Sequence, residues 1–111
     1  MADGPSFEAM KDLFFTLNDN FDELLDACQT DEQKAQFRRN FAAARDQFHA
    51  AENRAFKDDD ATVQQLCADL SAAQRQVQDS LASLQDIVAV LGTINSAVQL
   101  GSRLLSMAAA A

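Results

Sequence analysis

The sequence predicts an all-α protein: an up-down antiparallel helical bundle of three long helices, with the C-terminal segment as a fourth helix or a projecting extension. Composition is the first reason. The 111 residues include 3 Gly, 1 Pro and no Trp or Tyr, whereas strands favour β-branched and aromatic residues bounded by Gly and Pro turns. The second reason is that apolar residues recur at alternating spacings of three and four, as in helices that pack side by side. A chain of this length supports one domain, residues 1–111, with a single core.

The first helix is predicted over residues 6–29. Ser6 is the expected N-cap, because its hydroxyl can accept a hydrogen bond from a backbone N–H of the first turn. The segment 17–20 has the composition of a turn, but the apolar stripe continues through it, so one uninterrupted helix is expected. Phe15 falls off the stripe and is expected to be exposed. The stripe comprises Phe7, Met10, Phe14, Leu17, Phe21, Leu24 and Cys28.

The second helix is predicted over residues 31–57, beginning with the capping-box pattern of Thr30 and Gln33. Charge supports its pairing with the first helix: residues 1–29 carry a net charge of −6 and residues 30–57 a net charge of +2. Such pairing sets orientation more than stability, since exposed ion pairs contribute only about 0–1 kcal/mol each. The stripe of the second helix comprises Phe37, Phe41, Ala44, Phe48, Ala51 and Ala55.

The remaining apolar pattern keeps one heptad register from 63 to 105, with Asp60 as the expected N-cap. A single helix over it would be roughly 70 Å long against roughly 36 Å for each earlier helix, so about 20 residues would extend beyond the bundle. Two alternatives remain open. Either the helix ends at Gly92, because Gly is a common terminator, and the chain folds back, or one long helix projects and pairs with another copy. The predicted segments are 61–91 and 93–109.

The net charge of −8, with an isoelectric point near 4.3, argues against nucleic-acid binding and favours a basic partner. The N-terminal ten residues contain no apolar run, so no secretory signal is expected. The expected location is the cytoplasm, although export without a signal leaves no trace in a sequence. Cys28 and Cys67 are too few for a disulfide scaffold, and an up-down bundle separates them too far for a bond.

No motif for catalysis, phosphate binding or a cofactor is present, so a non-enzymatic protein without cofactor or metal is expected. Asp46 and His49 have a spacing used by metal-binding bundles, but His49 is the only histidine, and an edge position in solvent explains both residues. The acidic run 58–60 lacks the alternating ligands of a calcium loop, and helix capping explains it.

The C-terminal segment carries the most distinctive pattern. Small residues recur every fourth position at Ala89, Thr93, Ala97 and Gly101, which lets another helix approach closely. Three readings remain open: the core of a fourth helix, an interface with a partner or a second copy, and a lipid-facing surface. A transmembrane span is not expected, because the uncharged run of 16 residues is shorter than the ~20 residues that a bilayer requires.

These patterns favour a small acidic interaction module, of the adaptor, chaperone or inhibitor type, that binds a protein partner or itself through the apolar C-terminal helix. The alternative is a protein that binds lipid or hydrophobic surfaces by opening its bundle. Apolar anchors and a small-residue contact are expected in the first case, together with carboxylates that face a basic partner. The candidate interaction residues are Phe15, Asp19, Asp22, Asp26, Ala97, Leu100, Gly101, Leu104 and Met107.

Overall fold

The computed structural model describes residues 4–110, so Met1, Ala2 and Asp3 of the segment considered for a signal lie outside the described residues. Of the residues that the structure describes, 78% are helical, and the helices pack against one another, which confirms the all-α bundle. The helices are α1 (Pro5–Asp19), α2 (Phe21–Ala27), α3 (Asp31–Ala51), α4 (Ala61–Ser80) and α5 (Ile87–Ser106). Two short strands, β1 (Arg54–Ala55) and β2 (Ala109–Ala110), form an antiparallel pair.

The four long helices form two hairpins, α1 with α3 and α4 with α5. Successive long helices run in opposite directions. The connection from α3 to α4, however, crosses the end of the bundle diagonally. As a result α1 lies beside α4, and α3 lies beside α5, in parallel orientation. Two hydrogen bonds mark these parallel seams: Gln74 Nε2 donates to Thr16 Oγ1, and Gln47 Nε2 donates to the Val98 carbonyl, each at 2.8 Å.

The first predicted helix is interrupted at Asn20, where the backbone (φ −120°, ψ 23°) leaves the helical region. The prediction of one uninterrupted helix is therefore wrong, and the turn composition of residues 17–20 was the better signal. The Asn20 side-chain amide donates to the Thr16 carbonyl at 2.8 Å, which satisfies an end of α1. The Leu24 N–H still donates to the Asn20 carbonyl, so the stripe continues into α2 almost in phase.

Ser6 does not cap α1. Gly4 is the N-cap, with φ at +93°, and Ser6 lies inside the helix, fully buried. Its N–H donates to Asp58 Oδ1 at 3.3 Å, and its hydroxyl donates to the same oxygen. A side chain on residue 4 would collide with the Asp58 carboxylate, so the glycine permits this cap. Asp58, from the diagonal connection, thus satisfies the first turn of α1.

The predicted caps of α3 and α4 are confirmed. Thr30 Oγ1 accepts from the Gln33 N–H at 3.1 Å, while Gln33 Oε1 accepts from the N–H of Gln29. Asp60 Oδ1 accepts from the N–H groups of Thr62 and Val63. However, α3 ends at Ala51 rather than at 57, because residues 52–60 form the connection that crosses the bundle end.

The third apolar stripe does break and fold back, but not at Gly92. Helix α4 ends at Ser80, and α5 begins after Asp86, whose carboxylate caps it by accepting from the Ala89 N–H at 3.2 Å. Gly92 lies within α5, and a Cβ there would meet nothing within 4 Å. The expected position of the break, Gly92, is wrong, as is the projecting helix. The alternative of a fourth helix is confirmed, because the chain turns over residues 81–86 and α5 packs against α3 and α4. Between the hairpins the core holds mostly aliphatic side chains, including Leu13, Leu17, Leu70, Val77, Leu91 and Ile94.

Candidate interaction surface

Seven of the eight phenylalanines form a continuous series of ring contacts along the groove that α1 and α2 form with α3, called the groove between α1 and α3 below. Phe14 stacks on Phe48 with centroids 5.5 Å apart, and Phe21 lies 5.2 Å from Phe37 and 4.8 Å from Phe41. These separations fall in the range of about 4.5–7 Å that favours aromatic pairs. The series, named the aromatic row from here on, consists of Phe7, Phe14, Phe15, Phe21, Phe37, Phe41 and Phe48.

The aromatic row runs from the core to the surface. Phe37 is fully buried, while Phe14, Phe21, Phe41 and Phe48 are partly buried. Phe15 is 43% exposed, as its position off the stripe predicts, and its ring meets Phe48 edge-on at 5.5 Å. Its outer face is open to solvent at the centre of the row. The other exposed large apolar side chains of the described residues, Val88 and Met107, do not belong to this row.

Charged groups around Phe15 and Phe48 are paired within the chain. Lys11 Nζ lies 3.3 Å from Glu8 Oε2 and 5.9 Å from the centroid of the Phe15 ring. On α3, Arg45 pairs with Asp46 and His49 Nδ1 lies 3.0 Å from Glu52 Oε1. Such exposed pairs add little stability. These pairs form a polar rim around the exposed part of the aromatic row. Each basic group of the rim has an acidic neighbour.

Towards the α2 end of the groove, opposite charges stand on its two sides. Asp22 follows Phe21, and Arg38 follows Phe37; because these rings are in contact, the two charged residues lie at one level. Asp26 and Lys34 lie one helical turn further on. Within residues 4–110 none of these four charges forms an ion pair within 4.0 Å.

Lys34 and Arg38 also influence the pKa of Cys28, which is a free and buried thiol. Burial raises the pKa of Cys28, and the positive charges of Lys34 and Arg38 partly offset that rise. Burial likewise raises the pKa of Cys67, and the Asp58 carboxylate raises it further. Thiols with raised pKa values are poor nucleophiles, so neither cysteine has the setting of a catalytic residue.

The three candidate carboxylates, Asp19, Asp22 and Asp26, are all exposed. The break at Asn20 divides them, with Asp19 at the end of α1 and the other two on α2. They do not form a single continuous helical face as the uninterrupted helix implied. Asp22 and Asp26, four residues apart, do share one edge of α2.

The C-terminal candidates are largely unavailable to a partner in the folded chain. Ala97 and Leu104 are fully buried, and Gly101 is buried as well, because α5 packs against α3 and α4. Treating these three as surface contacts is therefore wrong for this fold. Leu100 is partly buried, and Met107, 39% exposed, is the one C-terminal candidate on the surface.

Sequence reasoning assigned Phe41 and Phe48 to the core, and the structure places them at its edge instead. The available signal was Arg45, four residues after Phe41 and three before Phe48. A charged residue between two phenylalanines on one helical face indicates that this face reaches the surface. Val88, 67% exposed on α5, was missed because it falls off the heptad register.

The described residues contain no cluster of three or more His, Cys, Asp or Glu side chains placed to hold a metal ion. The two groups with metal-like spacing have other partners. His49 lies beside Glu52, and Asp58 and Asp60 cap helices. No pocket is found in the part of the chain that the structure covers, so the aromatic row is a surface rather than a cleft.

One helix in the described range, α5, is long and apolar enough to cross a membrane. Of its most apolar 18-residue window, 44% is buried inside the bundle. Because the core helix of a bundle passes the same test, this is weak evidence for a membrane span.

Comparison of the chain with protein-family models, with curated proteins and with solved structures finds no match. Inference about function therefore starts from the geometry of the aromatic row and its rim.

Proposed function

We propose that this protein is a non-enzymatic interaction module that binds a protein partner through the aromatic row, with Phe15 and Phe48 at the centre of the contact. One observation carries the proposal: Phe15 is 43% exposed while its ring packs on Phe14 and Phe48. The exposed ring is thus held in place by two neighbours. An aromatic side chain that is already ordered loses little conformational entropy on binding.

The surroundings of Phe15 fit the usual anatomy of a binding site. Protein interfaces place aromatic anchors at the centre and polar groups at the rim. Here the partly buried rings of Phe14 and Phe48 contact Phe15. The pairs Lys11–Glu8 and Arg45–Asp46 supply polar groups beside them. The proposed surface therefore moves from the C-terminal helix, where the candidate residues Ala97, Gly101 and Leu104 are buried, to the groove between α1 and α3.

The proposal is tested by affinity capture from the source cell with the wild-type chain, Phe15→Ser and Val88→Ser. Both replaced side chains are exposed and apolar. Val88→Ser therefore controls for non-specific binding to exposed apolar surface. Proteins that Val88→Ser retains and Phe15→Ser loses are the expected result. The proposal is wrong if both variants capture the same proteins as the wild type, provided that circular dichroism shows both to be folded.

A second candidate function is binding to lipid by a bundle that opens between its hairpins. Two observations favour it: the length and apolarity of α5, and the polar side chains Gln47 and Gln74 on the seams between the hairpins. Opening along these seams would expose the buried face of α5. This candidate predicts co-sedimentation with phosphatidylcholine vesicles that Val88→Asp weakens and Phe15→Ser leaves unchanged; absence of co-sedimentation rules it out.

A further inference from the structure

The aromatic row lies along one long face of the bundle, and the arrangement of charges beside it limits what can bind there. The basic groups around Phe15 and Phe48 each have an acidic neighbour within the chain. The remaining charges of the face, near α2, are acidic on one side of the groove and basic on the other. A partner that fits this face must therefore carry an apolar centre and, at one end, basic and acidic groups in the reverse order.

We propose that the occupant is a second copy of this chain, placed by a two-fold axis that runs parallel to the helices along the groove. The inference rests on the proposed function, since it names the partner of the same surface. Rotation about this axis lays α1 and α2 of one copy over α3 of the other and keeps every residue at its own level. The aromatic row then packs on its own symmetry mate, as an isologous interface requires.

Charge complementarity argues for this occupant. Asp22 and Arg38 lie at one level because Phe21 contacts Phe37. In the proposed dimer Asp22 of each copy faces the Arg38 side of the other copy, and Asp26 faces the Lys34 side one turn further on. Each pair occurs twice by symmetry. The rotation exchanges the two sides of the groove, so the acidic side of one copy lies over the basic side of the other. This is the order of charges that the face requires of its partner.

The size of the face also suits a dimer. The molecule measures 40 × 20 × 19 Å along its principal axes. One long face thus has an area near the ~800 Å² per partner that stable interfaces cover. Burial of the Phe15 ring at its centre removes from water the exposed aromatic surface of the row.

The competing self-interface, along the small-residue side of α5, is occupied within the chain over its C-terminal half. Gly101 packs against Gln47 of α3, and Ala97 is fully buried. The C-terminal half of the small-residue ridge is therefore not available to a second copy, which leaves only Ala89 and part of Thr93 at the surface. The groove between α1 and α3 offers the exposed aromatic surface instead.

The first test measures the mass of the purified chain by sedimentation velocity over a wide concentration range. The wild type should be a concentration-dependent dimer. Phe15→Ser should raise the dimer Kd by at least about thirty-fold, the effect of losing one central aromatic anchor, whereas Val88→Ser should leave it unchanged. A wild type that stays monomeric, or a dimer that tolerates Phe15→Ser, overturns the proposal.

The second test uses charge reversal, which distinguishes a second copy from any other partner. Asp22→Arg alone places a new guanidinium against Arg38 of its mate, and Arg38→Asp alone places two aspartates together. Each variant should dimerise about tenfold more weakly than the wild type, as the loss of an attractive contact and the gain of a repulsive one implies. An equal mixture of the two should form heterodimers by native mass spectrometry, because both contacts then join opposite charges. Failure of the mixture to pair overturns the two-fold arrangement.

The outcomes separate this inference from the function on which it rests. If the purified chain is monomeric while cell proteins still bind in a Phe15-dependent manner, the second copy is the wrong occupant and the interaction surface stands. If neither dimer nor Phe15-dependent partner is found, both fail. Unfolding of each charge variant in the Phe15→Ser background reports any effect on the monomer, so a loss of folding is not mistaken for a loss of association.

Discussion

Gln47 of α3 occupies the space that a side chain at residue 101 of α5 would need. Gln47 is 8% exposed, its Nε2 donates to the Val98 carbonyl at 2.8 Å, and its Oε1 lies within collision distance of a Cβ at Gly101. Gln47 Oε1 has no hydrogen-bond partner among the described residues. The small residue at 101 therefore makes room for a buried polar side chain of α3 within the same chain, rather than for a helix of a second chain.

Gly101→Ala is expected to destabilise the protein by about 1–3 kcal/mol, because Gln47 must move and leave its buried hydrogen bond. The matched control is Gly92→Ala. Gly92 is exposed in the same helix with no atom near its Cβ position, so alanine should stabilise by about 0.5–1 kcal/mol through backbone entropy and helix propensity. Urea unfolding followed by circular dichroism measures both.

Gln47→Ala removes the obstacle, and in that background Gly101→Ala should cease to destabilise. The interaction free energy of this double-mutant cycle should then be at least about 1 kcal/mol. Equal costs of Gly101→Ala in both backgrounds would show that the clash with Gln47 is not the reason for a glycine at this position.

Asp58→Ala is expected to destabilise the chain by about 1–2 kcal/mol, as loss of a helix cap does. Its carboxylate accepts from both the N–H and the hydroxyl of buried Ser6, and the variant leaves these donors without an acceptor. Asp59→Ala is the control, because the adjacent Asp59 is exposed and should change stability by less than about 0.5 kcal/mol. Similar losses for the two variants would refute a specific role of Asp58. Thermal and urea unfolding of both variants provide the measurement.

The sequence predicted the fold class, the stripes and two of the caps because these depend on local spacing and on neighbouring residues. It did not locate the break between α4 and α5, since Leu84 and Ile87 keep the heptad register across the turn. The lengths of the helices would have predicted this break better. A helix that starts at Ala61 and equals α3 in length must end near residue 81, and Asp86 before a long uncharged run is an N-cap signal.

The candidate surface was predicted only in part for a related reason. Phe15 lies off the stripe, so its exposure follows from spacing alone. The burial of Ala97, Gly101 and Leu104 depends on which neighbour α5 finds, and that neighbour depends on the diagonal connection 52–60. Ser6 shows the same limit: its partner Asp58 is 52 positions away, and no local pattern connects the two.

Within the aromatic row, the two ends should respond differently to truncation. Phe37→Ala removes a fully buried ring and is expected to destabilise by about 3–5 kcal/mol. Phe15→Ser removes an exposed ring and should cost less than about 1 kcal/mol in the monomer. Denaturant unfolding at a concentration that keeps the chain monomeric checks this. A large loss for Phe15→Ser would assign Phe15 to the core and weaken its role as a binding anchor.

The thiols make stability depend on pH in the alkaline range. Burial raises the pKa of both Cys28 and Cys67 above the ordinary 9.0, so the folded state holds these protons more tightly than the unfolded state. The corresponding stability is present below the ordinary pKa and is lost as the pH rises through the folded-state pKa values. Above the ordinary thiol pKa, the free energy of unfolding should fall more steeply with pH for the wild type than for a Cys28→Ala, Cys67→Ala double variant. Equal slopes would contradict the raised pKa values.

Alkylation separates the causes of the raised pKa of Cys67. Burial is the largest cause and the charge of Asp58 the second, partly opposed by a hydrogen bond from Ser71. Asp58→Asn should therefore lower the pKa of Cys67 and move the midpoint of its iodoacetamide pH–rate profile to lower pH, since the thiolate is the reacting species. Asp59→Asn serves as the control, and Cys28 as an internal reference whose pKa Asp58 does not affect. A higher plateau rate with an unchanged midpoint would instead indicate that loss of the hydrogen bonds between Ser6 and Asp58 exposes Cys67 near the start of α4. That outcome would exclude the charge of Asp58 as a cause of the raised pKa.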